Sequence, residues 1–254
     1  MDKIYIMLLN YNLGKMTDSL VEELVVSLDP FTTLEVLDAS TKKEEISKYA
    51  TKLIEDNYYG DNFRFAIDDV LKKEPNKYDW FVMMSNDIYN LPKRNWIREL
   101  VNLAKNTDAV IVSPSINKEG TSQKNMHQRI DNIRGYRYVN SIDFQCPIIH
   151  SSIMKRVIGK WNSDLKYGWG IDSLFGIECY NLNKNIVISD KIKIYHYNKK
   201  TFKENVDILS VEEYRNKAML GEKNFMKKYV SGKFWMYWKT NLRNEISIEK
   251  RKRQ

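Results

Sequence analysis

The run Trp80-Phe81-Val82-Met83-Met84, followed at once by Ser85-Asn86-Asp87, constrains this chain more than any other stretch. Five consecutive apolar residues match a strand buried on both faces, the kind found in parallel sheets covered by helices. Asp87 then faces the crevice beyond the carboxyl ends of the strands, where open α/β sheets bind ligands. A carboxylate drawn out of bulk water needs a cationic partner, and a divalent metal is one candidate. An ordinary polar turn after a strand reads the same way, so this stretch alone leaves both meanings open.

The surrounding chain repeats the pattern. Ile4 to Leu9 is a strand ending in Asn10-Tyr11-Asn12, and Asp18 to Leu28 has helical spacing, with Thr17 or Asp18 as its cap. Thr33 to Asp38 is a second strand, and its terminal Asp38 stands where α/β folds contact a ribose or base, or where a carboxylate caps the next turn. Thr41 to Glu55 is a polar helix or loop, 57–62 is turn-rich, and Phe63 to Lys73 is helical. Trp96 to Lys105 is a helix and Ala109 to Pro114 a buried strand, which completes a β-α-β-α-β-α-β order and predicts a doubly wound α/β sheet. Residues 117–138 are polar, basic and aperiodic, a long loop containing Lys118, Lys124, His127, Arg129, Arg134 and Arg137. Strand character returns over Tyr138 to Ile149, a short helix covers Ser151 to Ile158, and Ser173 to Leu182 is helical. Two strands follow, 185–188 and 192–197, and the chain is helical again from Val211.

The net charge of +8 favours anionic partners such as nucleotides, phospholipid surfaces, acidic glycans or nucleic acid. Two cysteines, Cys146 and Cys179, describe neither a disulfide scaffold nor a zinc cluster. No run approaches the ~20 apolar residues of a membrane span, and residues 4–9 lack the flanks of a signal peptide. The expected location is cytoplasmic, or peripheral to a membrane or nucleic acid through the basic C-terminus. Lys233 to Lys239 reads either as a surface-binding helix or as one packed on the domain.

Asp38, Asp87, Asp172 and His196 thus stand at the ends of strands or at the start of a helix. Their order and context resemble family 2 glycosyltransferases of the GT-A fold over roughly residues 4–197. The resemblance rests on Asn10-Tyr11-Asn12, Val36-Leu37-Asp38-Ala39-Ser40, Asn57 to Ala66, Ser85-Asn86-Asp87, Gly159-Lys160-Trp161-Asn162, Tyr167-Gly168-Trp169-Gly170-Ile171-Asp172 and Tyr195-His196. Two positions depart from that pattern: Ser85 replaces the first carboxylate of the metal motif, and Ile171 stands where an acid is frequent.

The resemblance implies a Rossmann-like nucleotide-diphospho-sugar transferase, an α/β/α sandwich with a mostly parallel central sheet. It divides the chain into a catalytic domain over 1–200 and a helical, basic and aromatic extension over 201–254 on the same domain. It implies transfer from a nucleotide-diphosphate donor, a UDP-sugar, to a hydroxyl acceptor with inversion. Asn10, Tyr11, Asn12, Asp38, Ser40, Asn62, Asn86, Trp169 and Gly170 would contact the donor. Asp87 and His196 would hold Mn2+ or Mg2+, the imidazole favouring manganese, and Asp172 would be the general base. The acceptor stays open among glycan, lipid-linked and nucleic-acid hydroxyls, a modified DNA base included. A GT-A-like binding module without catalysis is the alternative that Ser85 motivates. From the residues alone, Asp172 also reads as a helix cap, His196 as a structural histidine and Trp169 as a packing residue.

Overall fold

The computed structural model describes residues 1–55, 58–118, 134–197, 210–230 and 246–247. In chain order the elements are β1 (Ile4–Asn10), α1 (Gly14–Val25), β2 (Thr32–Asp38), β3 (Lys52–Leu53), α2 (Tyr59–Lys73), β4 (Trp80–Ser85), β5 (Ile88–Tyr89) and α3 (Trp96–Asn106). Then come β6 (Ala109–Lys118), β7 (Tyr136–Val139), β8 (Ile148–His150), α4 (Ser151–Ile158), α5 (Ile171–Asn181), β9 (Asn185–His196), α6 (Val211–Tyr229) and β10 (Ile246–Ser247). Short 3-10 turns cover Lys43–Glu45 and Ser163–Leu165.

One sheet runs through the molecule in the order β10-β7-β9-β6-β8-β4-β1-β2-β3, with β5 paired to β9. The long pairings β1–β2, β1–β4 and β6–β9 are parallel, so most of the paired backbone is parallel. Side-chain alternation along the central strands divides the interior into two cores. Ile4, Ile6 and Leu8 of β1, with Trp80, Val82 and Met84 of β4, pack under α1 and α3. Tyr5, Met7 and Leu9, with Phe81 and Met83, face α2, α4, α5 and α6. A continuous apolar run is what a strand needs when both of its faces are covered. Burying each large side chain of this kind contributes roughly 1.5–3 kcal/mol.

The sheet departs from the simple winding at β8, which is inserted antiparallel between β4 and β6. Its apolar Ile148 and Ile149 suit either direction, so strand polarity is absent from the pattern. Tyr138 to Ile149 divides into β7 and β8 around a connection over 140–147 that ends at Pro147. The two late strands are one, β9. Its middle carries buried Asp190, ion-paired with fully buried Arg137 and accepting a hydrogen bond from Ser115 Oγ at 3.2 Å. A buried charge persists when it is paired. Arg137 therefore holds the sheet together and does not belong to a loop closing over a ligand. Of the other basic residues of that expected loop, Arg134 is exposed, while Lys124, His127, Arg129 and the Lys118 side chain lie outside the described residues.

Helix α1 begins four residues before the expected start, with no side-chain cap. Thr17 lies inside it, and Asp18 instead accepts hydrogen bonds from Ser47 Oγ at 2.6 Å and Lys48 N at 3.0 Å. The polar stretch 41–55 is a loop with one 3-10 turn and the short β3. Among the described residues no helix is long and apolar enough to cross a membrane. Lys233 to Lys239 lies outside them, as does Asn57.

Candidate active site

Strands β1, β2 and β4 end at one level of the sheet, because Asn10 is in register with Asp38 and Leu9 with Ser85. Their terminal side chains form one buried network. Asn10 Nδ2 donates to Asp38 Oδ2 at 2.8 Å, Ser40 Oγ at 3.0 Å and the Glu45 carbonyl at 2.9 Å. Asn10 Oδ1 accepts from Leu13 N, Thr17 Oγ1 and Asn86 Nδ2. The Asp38 carboxylate also takes the backbone amides of Ser40 at 2.9 Å and Ser47 at 2.7 Å. Asn12, in the left-handed region with φ 51°, accepts from Thr41 N at 2.9 Å, while its own amide donates to Ser40 Oγ. Asn10, Asn12, Asp38, Ser40 and Asn86 are thereby brought together, with half-buried Tyr11 beside them on the core. Asn62 is buried on the first turns of α2, two residues after Gly60, whose amide donates to the Lys166 carbonyl at 2.7 Å.

Asp87 and His196 meet although 109 residues separate them. The two-residue strand β5 sets His196 opposite Ile88, and Tyr197 N donates to the Asp87 carbonyl at 2.8 Å. Asp87 Oδ2 lies 3.0 Å from His196 Nε2, with both side chains about nine-tenths buried. His196 Nδ1 has no hydrogen-bond partner among the described residues. A carboxylate and an imidazole are ligand types that divalent cations of the manganese class accept. No third His, Cys, Asp or Glu completes a protein-only cluster among the described residues. Ser85, at the first position of the motif, donates from Oγ to Gln145 Oε1 at 2.8 Å, and its amide donates to the Gln145 carbonyl.

The 163–172 segment carries the third part. Gly168 and Gly170 have φ of 93° and 84°, which only glycine adopts freely. Gly170 is the cap of α5, and Asp172 is its second helical residue, so it is not the capping residue. The Asp172 carboxylate accepts from the amides of Ser173 and of its own residue, which favours the charged form. Burial outweighs this, and the Glu222 carboxylate followed by that of Asp143 adds to it, pushing the group up to about 7. Trp169 is 38% exposed beside this turn.

Asn86 of the first part directly precedes Asp87 of the second, and shared electrostatic neighbours link the second part to the third. Tyr59, at the start of α2, donates from its hydroxyl to the Phe144 carbonyl at 2.5 Å. Burial first, then the carboxylates of Asp87 and Asp143, keep this phenol protonated. Asp143 acts on Asp172 as well, so Tyr59 and Asp143 link Asp87 to the candidate base. Asp143, Gln145, Tyr59 and Glu222 were not singled out from the sequence. The alternation Ser141-Ile142-Asp143-Phe144-Gln145 was the available signal for the first two. Trp161, of the Gly159-Lys160-Trp161-Asn162 motif, is a core residue, and Asn162 caps the 3-10 turn by accepting from Asp164 N at 2.9 Å.

The fold and this placement of polar strand ends define the GT-A class of nucleotide-sugar transferase folds. No protein-family model matches the sequence, and no curated protein matches it. Solved structures do match. Residues 1–349 of S. aureus TarS in complex with UDP-GlcNAc align with a TM-score of 0.58 at 13% identity, over 94% of this chain and 70% of that one. A second S. aureus TarS structure aligns at 0.53 and 14%, over 91% of this chain and 44% of that one. GalNAc-T7 with UDP, GalNAc and Mn2+ aligns at 0.64 and 9%, over 94% of this chain and 50% of that one. These likenesses establish a GT-A glycosyltransferase fold.

Proposed function

We propose that this chain transfers a sugar from a nucleotide-diphosphate donor, a UDP-sugar, to a hydroxyl acceptor with inversion. One observation carries the reading: a carboxyl pushed up to about 7, Asp172, is linked through Asp143 and Tyr59 to the buried Asp87–His196 pair. An acid poised near the working pH suits proton abstraction. The neighbours that bind UDP-GlcNAc, or UDP with Mn2+, support the donor class.

In this reading the acceptor hydroxyl oxygen bonds to the anomeric carbon and its proton passes to Asp172. The bond to the diphosphate breaks, and its electron pair leaves on the diphosphate oxygen. Asp87 and His196 fit a divalent cation, their donor atoms already facing each other in a buried site. A divalent cation held by these two residues would supply stabilisation of the leaving-group charge. Asp38, Ser40 and Asn12 would contact the base and ribose, with Tyr11 packed beside them on the core. Asn10 and Asn86, buried like Asp38 and Asn12, hydrogen-bond within the same network and hold those groups in place. Trp169 offers a partly exposed ring to a sugar face.

The test is a thermal-shift screen of UDP-GlcNAc, UDP-GalNAc and UDP-glucose with and without manganese, followed by donor turnover. A ligand that binds only the folded state raises its melting temperature. Stabilisation by a UDP-sugar with manganese, lost in Asp87→Ala, is the expected result. Stabilisation without turnover on any hydroxyl acceptor would favour a binding module.

A further inference from the structure

Helix α6 lies beyond the segment that resembles a transferase, yet it is built into the turn carrying Asp172. Tyr214 donates from its hydroxyl to the Tyr167 carbonyl at 2.6 Å, and the two rings meet edge-on at 5.1 Å. Gly221 brings the helix backbone so close that a Cβ there would stand 2.1 Å from the Asp164 carbonyl oxygen. Phe225 and Met226 anchor the next turn of α6 in the core. Between these contacts Glu222 is pressed onto the α5 cap, where a Cβ on Gly170 would come 2.9 Å from Glu222 Cγ. Glu222 is partly buried and so is Asp172 two residues after that cap.

We infer that Glu222 is a positioning residue for the proposed transfer: from α6 it braces the Gly170 turn and tunes the readiness of Asp172 to take the acceptor proton. The inference rests on the reading of Asp172 as the base. Among the described residues, the charged groups that act most on Asp172 are Glu222 from α6 and Asp143 from the β7–β8 connection. Around these carboxylates stand the phenols of Tyr59 on α2 and Tyr214 on α6, both kept protonated by burial above all, with Asp87 and Cys146 acting on Tyr59 and Tyr167 and Tyr58 acting on Tyr214. A second carboxylate beside a first disfavours its ionisation. Removing the Glu222 charge therefore lets Asp172 ionise at lower pH, whereas removing the glutamate's bulk loosens the turn.

The experiment is a carbon-detected NMR titration of the aspartate carboxyls in the full chain, with the Asp172 signal assigned through Asp172→Asn. Glu222→Gln keeps shape and loses charge, and the Asp172 midpoint should fall by roughly half a pH unit or more. Glu222→Asp, which keeps the charge, should stay near the wild-type midpoint. A purely packing role predicts no shift in the isosteric Glu222→Gln, and that outcome overturns the inference. If Glu222→Gln does not fold, Glu222→Asp and Glu222→Ala replace it, and equal midpoints in those two variants overturn it equally. The acidic limb of UDP-GlcNAc turnover with manganese should move the same way as the midpoint. A shifted midpoint with a wild-type chain that turns over no donor would leave the Glu222–Asp172 link standing and defeat the base assignment instead.

Discussion

The two sides of the candidate site satisfy their polar groups in opposite ways. On the β1–β2 side, Asn10, Asp38, Ser40 and Asn86 bond to one another and to backbone amides. On the α5 side, Asp143, Asp172 and Glu222 place like charges near one another, and Asp172 bears the consequence. A closed network gives rigidity, because each lost partner leaves a buried group unsatisfied. A cluster of like charges costs stability and gives a group whose proton moves near neutral pH. The first side is a frame, and the second holds the group proposed as the base.

Asp172→Asn should show the largest effect. We expect transfer to fall about 10²–10⁴-fold while donor binding persists; unchanged turnover would remove Asp172 as base. The same variant should be more stable than wild type at pH 8. Below an ordinary carboxyl value of 3.8 the folded and unfolded chains are both protonated at this site. Between there and about 7 the unfolded chain ionises first, so rising pH weakens the fold, and above 7 the full penalty remains. Urea unfolding should therefore show a stabilised variant at pH 8 and no gain at pH 4.

Asn10→Ala attacks the frame. It strips partners from buried Asp38, Thr17 and Asn86 and should cost about 3 kcal/mol in denaturant unfolding at every pH. A loss under about 1 kcal/mol would show that the network relaxes and is no frame. His196→Ala should be milder: the fold stays intact, and the manganese-dependent rise in melting temperature disappears. Retention of that rise would exclude His196 from the metal site. Trp169→Ala, at a half-exposed position, should change stability by no more than about 0.5 kcal/mol. Its effect should fall on KM for the sugar donor or acceptor, and a destabilised Trp169→Ala would make the ring a packing residue.

Much of this was legible in the residues. Helix α4 has the expected bounds, and β1, β2, β4 and the start of α3 lie within a residue or so of theirs, because their hydrophobic periods are strong. The polar strand ends were visible because each apolar run stops at one, but an ordinary polar turn reads the same way, so their meaning came from their order along the chain. The direction of β8 was hidden, since two apolar residues carry no polarity. Arg137 looked like a loop cation because its partner Asp190 is 53 residues away. Glu222 looked like one carboxylate on a polar helix, for its meaning depends on where Gly221 and Tyr214 dock that helix.

By itself the sequence determined the layered α/β class and the positions where polar groups end buried strands. Periodicity and burial are local properties, written residue by residue. Tertiary structure alone decided which of those groups meet. It closed Asn10 and Asp38 into a satisfied network, set His196 against Asp87, and carried α6 back so that Glu222 bears on Asp172. Electrostatic coupling depends on distance through space, and distance through space is what a linear chain does not record.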